Sequence, residues 1–183
     1  MGLAETTLAV AARSAKSNNF VKNLVDKMSP ADLALPNYYG TTALHTAAAT
    51  GNIEAAKLLV NKNIHLPYIF DYAKALPLHV AANRSQREMV LYLMEVTEAD
   101  KEPKPFEDET GVTLVVGLIA GGLYDITLDL VRRNPKLAWG ISSPLQTFAS
   151  KQSAFRSGAR LNYWQQLIYS DATEGIERLN PVK

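Results

Sequence analysis

Five leucines recur along this 183-residue chain at nearly constant intervals, and this constrains the fold more than any compositional feature. Leu8, Leu44, Leu78, Leu114 and Leu145 are 36, 34, 36 and 31 residues apart. A period in this range marks a solenoid, in which each unit is one small supersecondary piece that cannot bury its apolar face alone. The text around the leucines repeats as well. Thr42-Ala43-Leu44-His45-Thr46-Ala47-Ala48 is echoed by Leu76-Pro77-Leu78-His79-Val80-Ala81-Ala82. Upstream, Thr6-Thr7-Leu8-Ala9 keeps the shape with Ala9 in place of the histidine. Downstream, Val112-Thr113-Leu114 keeps only the leucine, and Ser143-Pro144-Leu145 restores the Ser-Pro-Leu start.

Each unit reads as two helices. Thr and Pro suit a helix N-cap and first turn. Ala47, Ala48, Ala81 and Ala82 let paired helices approach closely, and Gly51 ends the first helix in a left-handed cap. Second helices follow as apolar stripes: Ile53, Ala56, Leu59 and Val60, then Val90, Leu91, Leu93 and Met94, then Ile126, Leu128, Leu130 and Val131, stopped by Asn134-Pro135. The Leu-His-x-Ala-Ala runs resemble the ankyrin signature T-P-L-H-x-A-A. The expected fold is therefore all-α: a curved ankyrin-repeat solenoid of about five helix-turn-helix units with degenerate terminal units. The units start near residues 5, 41, 75, 111 and 142, giving an array over 1–155 and a tail over 156–183 that is partly disordered or juxtamembrane-like. The resemblance gives Leu44 and Leu78 an inward-packing role. It gives His45 and His79 a structural one, bonding loop backbone and tying one repeat to the next. His65, beside Pro67, reads as an exposed loop residue.

Composition narrows the chemistry. There are no cysteines and three histidines, so disulfides, thiol catalysis and Cys-ligated metals are excluded. A net charge of +1 gives no global pull toward nucleic acid. No nucleophile–base pair, metal set or phosphate loop is visible, so no enzyme activity and no cofactor are expected. The longest stretch free of Asp, Glu, Lys, Arg and His, 110–124, carries four glycines and falls short of the roughly 20 apolar residues of a membrane span. Within it, the glycines of Gly117-Leu118-Ile119-Ala120-Gly121 read as a close helix–helix contact. A soluble, intracellular, monomeric chain is expected. Met1-Gly2-Leu3-Ala4-Glu5-Thr6 fits the loose N-myristoylation pattern, which is short enough to match by chance. Two stretches, Asp26–Gly40 and Glu95–Gly111, read as long loops, the second a solvated acidic insertion.

Asn23-Leu24-Val25-Asp26-Lys27-Met28-Ser29-Pro30-Ala31-Asp32-Leu33 resembles the plant ankyrin family whose full-length members end in a membrane-spanning PGG domain, the accelerated-cell-death-like proteins. Arg87-Glu88-Met89-Val90-Leu91-Tyr92-Leu93, Leu123-Tyr124-Asp125-Ile126-Thr127-Leu128-Asp129-Leu130 and Lys151-Gln152-Ser153-Ala154-Phe155 continue the resemblance. It implies a protein-interaction module in stress and defence signalling, held on the cytoplasmic side of a plasma membrane or endomembrane in full-length relatives. The chain stops before any membrane helix and starts almost inside its first repeat, so it reads as a fragment or truncated member.

Two surfaces stand out. Tyr38 and Tyr39 precede the second motif, and Tyr68, Phe70 and Tyr72 precede the third. They are candidate partner-binding residues on the edges between repeats; stapling adjacent edges together is the equal alternative. From Val131 to Ser170 stand Arg132, Arg133, Lys136, Lys151, Arg156 and Arg160 with no acidic residue. They form a weaker candidate for an anionic-lipid surface, against the plainer reading of a solvated end cap and tail. The expected partner is another protein. Nucleic acid is not expected, and membrane contact is left open without a spanning helix.

Overall fold

The alternation of short capped helices with left-handed stops produces a stack of helix pairs. The structure, a computed structural model, describes residues 6–97 and 104–139. Among the described residues the helices are α1 (Thr7–Ala12), α2 (Asn18–Lys27), α3 (Pro30–Leu33), α4 (Ala43–Thr50), α5 (Ile53–Lys62), α6 (Pro77–Asn83), α7 (Arg87–Val96), α8 (Asp108–Ala120) and α9 (Tyr124–Arg133), with no strand between them. The pairs α1/α2, α4/α5, α6/α7 and α8/α9 are the first four repeat units. Inner helices α1, α4, α6 and α8 stack in sequence, and outer helices α2 and α5 pack beside them. The fifth unit near residue 142, Leu145 and the tail lie outside the described residues.

The repeated leucine supplies the core. Leu8, Leu44, Leu78 and Leu114 are all buried, as are Ala47, Ala48, Ala81 and Ala82 in the seams between inner helices. The α8 glycines replace those alanines where α8 meets α6. A Cβ added to Gly117 would lie 2.9 Å from Oδ1 of Asn83, and one added to Gly121 would collide with the carbonyl oxygen of Ala82. The G-x-x-x-G run is thus a close helix–helix contact, as expected. Turns at the ends of the inner helices need a left-handed residue: Gly51 takes φ +72° and Gly122 φ +75°, while Ser85 fills the same place in the third unit at φ +57°.

Three local expectations change. The stretch Asp26–Gly40 is not all loop. Ser29 caps α3 by accepting from the Asp32 N–H while the Asp32 carboxylate accepts from the Ser29 N–H. The acidic stretch ends earlier than Gly111, because α8 begins at Asp108. Asp108 and Glu109 in its first turn suit the positive end of the helix dipole. Leu91 stands on the outer side of α7 and is exposed, with Met89 buried in its stead. Side-chain ties also cross between units. Asn52 Nδ2 donates to the Ala12 carbonyl (2.9 Å) and to Asn18 Oδ1 (2.9 Å). On the outer layer, Arg87 grips Asp125 with two hydrogen bonds, which hold the Asp125 carboxyl below its ordinary range.

Because Leu44 and Leu78 are buried between units, Leu44→Ala and Leu78→Ala should each lower stability by about 2–5 kcal/mol. Chemical-denaturant melts measure this; losses below about half a kcal/mol at both sites, the size of an ordinary surface change, would contradict the stacked arrangement.

Candidate protein-binding surface

The edge between units is built from one turn used twice. In the first copy, Asn37 N–H donates to the Thr41 carbonyl (2.9 Å), and Asn37 Oδ1 accepts from the N–H groups of Tyr39 (2.8 Å) and Thr41 (3.0 Å). In the second, Asp71 N–H donates to the Ala75 carbonyl (2.9 Å), and Asp71 Oδ1 accepts from Ala73 (2.9 Å) and Ala75 (2.8 Å). Asn and Asp close such turns because a short side-chain acceptor reaches the backbone two residues ahead. The fourth residue of each turn is left-handed: Gly40 at φ +77° and Lys74 at φ +57°. We refer to 37–41 and 71–75 as the first and second fingers.

Histidines fasten the second finger and the first turn of α8. His45 and His79 are buried on α4 and α6. Nδ1 of His45 accepts from the Thr42 N–H (3.1 Å), with the Thr42 hydroxyl 3.0 Å from the same nitrogen. A nitrogen that accepts a backbone N–H carries no proton, so the proton sits on Nε2, which donates to the Ala75 carbonyl at 3.1 Å. His79 repeats the pattern: Nδ1 accepts from the Leu76 N–H (2.9 Å) and Nε2 donates to the Thr110 carbonyl (3.1 Å). Burial pushes both imidazoles below their ordinary pKa of 6.5. The hydrogen bonds to Ala75 and Thr110 and the Asp71 carboxylate pull the other way, and burial wins. Neither ring has a nitrogen to spare for a metal or a proton-transfer step. Among the described residues no three His, Asp or Glu side chains gather to hold a metal ion.

The first finger lacks this fastening. The place equivalent to His45 in the first unit is Ala9, which has no donor. Instead the Tyr72 N–H donates to the Tyr39 carbonyl (3.0 Å), and the Tyr72 ring lies so close over Gly40 that a Cβ there would meet ring carbon Cδ1 at 2.6 Å. The two fingers are therefore stapled, and largely through backbone. Their rings remain exposed: Tyr38 and Tyr72 are each 75% exposed and Tyr39 is 51% exposed. Tyr38 and Tyr39 meet edge to face, with ring centroids 5.5 Å apart. Phe70, one residue before the second finger, is exposed to 38%. Tyr68 does not join them on a finger. It belongs to the 3-10 turn Leu66–Tyr68, which anchors through buried Leu66 and Pro67, and is half-buried. His65 is exposed, as expected.

The basic candidates divide. Arg132, in the last turn of α9, and Lys136, beyond it, are exposed. Arg133 pairs with Asp129 one turn earlier on the same helix (2.6 Å). Lys151, Arg156 and Arg160 lie outside the described residues, as does Gly2. Sequence reading missed Asn37 and Asp71, the residues that shape the fingers; the signal was an Asn or Asp three residues before a glycine or a lysine at equivalent repeat positions.

With this arrangement in hand, the family follows. Residues 6–105 match the family model described as ankyrin repeats (3 copies), and the chain belongs to the ankyrin-repeat family. A search of curated proteins returned no match. Among solved structures, the crystal structure of human ASB11 ankyrin repeat domain is similar, with a TM-score of 0.61 and 20% sequence identity. The match covers 82% of this chain and 65% of that one, so the chain spans under two thirds of that structure's length, and the likeness is one of fold. Ankyrin repeats are in general protein–protein interaction modules, and the fold is typically non-catalytic. No helix among the described residues is long and apolar enough to cross a membrane.

The histidine geometry predicts a pH dependence. Unfolded imidazoles protonate near 6.5, whereas the folded ones do so at lower pH. Between those values the unfolded chain binds more protons, so stability must fall as pH falls through that window. Above pH 6.5 the contribution is present in full. Denaturant midpoints should hold steady at neutral pH and above and decline below it. The doubly substituted chain (His45→Ala, His79→Ala) should be less stable at neutral pH and lose that part of the slope. An unchanged slope would show that the rings are not buried neutral groups.

Proposed function

We propose that the chain is a non-catalytic protein-binding module whose partner sits on the finger side. The observation that carries this is the exposure of Tyr38, Tyr39 and Tyr72 on turns whose backbone is already fastened. Tyrosine supplies a large rigid contact area at low conformational cost and is enriched where binding energy concentrates. An edge that had only to be soluble would carry small polar turn residues instead. The resemblance to the plant PGG-domain family supports placing this binding in stress or defence signalling, with the repeats on the cytoplasmic side of a membrane. On that reading residues 1–155 are the array and 156–183 the segment nearest the membrane. A second reading, contact with anionic lipid through the basic end, draws on the exposure of Arg132 and Lys136. Asp125 and Asp129 on the same helix oppose it; liposome co-sedimentation with a salt titration separates the two.

The test begins with a pull-down from the native source, followed by affinity measurements on the identified partner. Tyr39→Ala and Tyr72→Ala should each weaken binding by about 2 kcal/mol or more and change folding stability by no more than about half a kcal/mol. The reverse, lost stability with affinity intact, would make these rings staples between units.

A further inference from the structure

The outer layer holds a second surface that shares no residue with the fingers. Outer helices α2 and α5 pack against each other, whereas the backbones of α7 and α9 barely approach. The Arg87–Asp125 pair (2.8 Å) joins the first turns of these two helices. At their other ends, Glu95 and Thr97 line the same cavity as Arg133 and Asn134, so the helices run in one direction with a trough between them. The trough encloses about 690 Å³. Its apolar lining comes from Leu91 and Met94 on α7, Ile126 and Leu130 on α9, and Phe106. The exposed leucine of α7 therefore faces a cavity rather than a bare outer surface.

The charges around the trough cancel except at one end. Arg87 is committed to Asp125 and Arg133 to Asp129. Among the described residues the Glu95 carboxylate has no ion-pair partner. Two residues further on, Thr97 is only 6% exposed, and its hydroxyl has no hydrogen-bond partner. Native structures seldom leave a buried polar atom unpaired, and such an atom lining a cavity marks a place for a polar group from outside. Both the Glu95 carboxylate and the Thr97 hydroxyl oxygen accept hydrogen bonds, and a cation can donate to both.

The shape selects the rest of the occupant. Pockets for small molecules enclose most of their ligand. Here the rim is open: Leu91, Arg87 and Asp125 are each about half exposed. Leu91 and Met94 are three residues apart, and Ile126 and Leu130 four apart, so each wall is a helical ridge. A groove between two such ridges receives the ridge of a third helix. Met94 adds an unbranched side chain that adapts to what it meets. We propose that this trough receives an amphipathic helix of another protein. Its apolar stripe seats on Leu91, Met94, Ile126 and Leu130, and a lysine or arginine at one end of the stripe pairs with Glu95 and donates to the Thr97 hydroxyl.

A displayed library of helical peptides of roughly 14 residues, long enough to span the ten-residue walls, selected on the full chain, tests this. Winners are expected to carry apolar residues at i, i+3 or i+4, and i+7, with a Lys or Arg at the end of that stripe. Binding of a synthesised winner should fall roughly 30-fold in Leu91→Glu, about 10-fold in Glu95→Gln and about 2- to 10-fold in Thr97→Val. Glu95→Lys should bind the winner weakly and recover affinity for the same peptide with its basic residue changed to Glu, a rescue that a merely structural Glu95 would not give. Denaturant melts check that each variant keeps its fold; Thr97→Val, which removes a hydroxyl without a partner, should be no less stable than wild type. The Tyr39→Ala, Tyr72→Ala chain should hold the winner as tightly as wild type, which keeps this result apart from the finger reading. Winners that lack a basic residue and ignore Glu95→Gln would overturn the assigned partner chemistry. Equal binding to wild type and Leu91→Glu, or no enrichment, would overturn the trough as a docking site. A chain that dimerises in sedimentation equilibrium, and stops doing so as Leu91→Glu, would make a second copy the occupant and overturn the proposal as well.

Discussion

A buried imidazole with both nitrogens committed holds successive units of this molecule in register. His45 Nδ1 closes the first turn of its own helix by accepting the Thr42 N–H, and its Nε2 reaches the last carbonyl of the next finger at Ala75. The same ring thus caps a helix and fastens a neighbour. Repeat proteins gain stability from the sum of unit and interface contributions. A side chain that serves both is hard to replace, and losing it leaves a buried donor and a buried acceptor unpaired at about 1–3 kcal/mol each. Leucines and alanines make the stack cohesive, but cohesion alone does not say where a finger sits. The polar latch does.

Where the latch is missing, the structure compensates differently. Ala9 in the first unit cannot reach the Thr41 carbonyl, and the first finger leans on the second through Tyr72 N–H and the ring over Gly40. Val115 takes the corresponding place in the fourth unit and is fully buried. Among the described units the middle two therefore carry the latch, while the first and fourth rely on packing. The tyrosine surface lies where the latched finger supports the unlatched one. Rigid backbone with exposed rings is the combination that binding asks for, since order already present need not be created when a partner arrives.

Much of this was legible in the residue order. The leucine period, the two Leu-His-x-Ala-Ala runs and the left-handed Gly51 pointed to stacked helix pairs, and among the described residues each of these positions packs as its pattern implies. The exposed tyrosines were visible because aromatic residues are unusual before a capped helix. What sequence could not deliver came from tertiary context. Leu91 looks like a core residue by helical spacing, yet its side of α7 faces outward. Ser85 does a glycine's work at a left-handed turn, which no propensity scale would favour. Tyr68 shares its neighbourhood in the sequence with Tyr72, but buried Leu66 and Pro67 pull its turn away from the finger. The capped turn at Pro30–Leu33 rests on a reciprocal Ser29–Asp32 pair that reads equally well as loop chemistry.

The central claim is that His45 is a neutral, Nε2-protonated latch between units. Nitrogen-15 NMR of the labelled imidazole tests it most directly, because the two ring nitrogens have well-separated shifts when one tautomer is fixed. The account predicts an unprotonated Nδ1 and a protonated Nε2 that exchanges slowly and couples across its hydrogen bond to the Ala75 carbonyl. Averaged nitrogen shifts, titrating like a free imidazole near its ordinary pKa of 6.5, would contradict it.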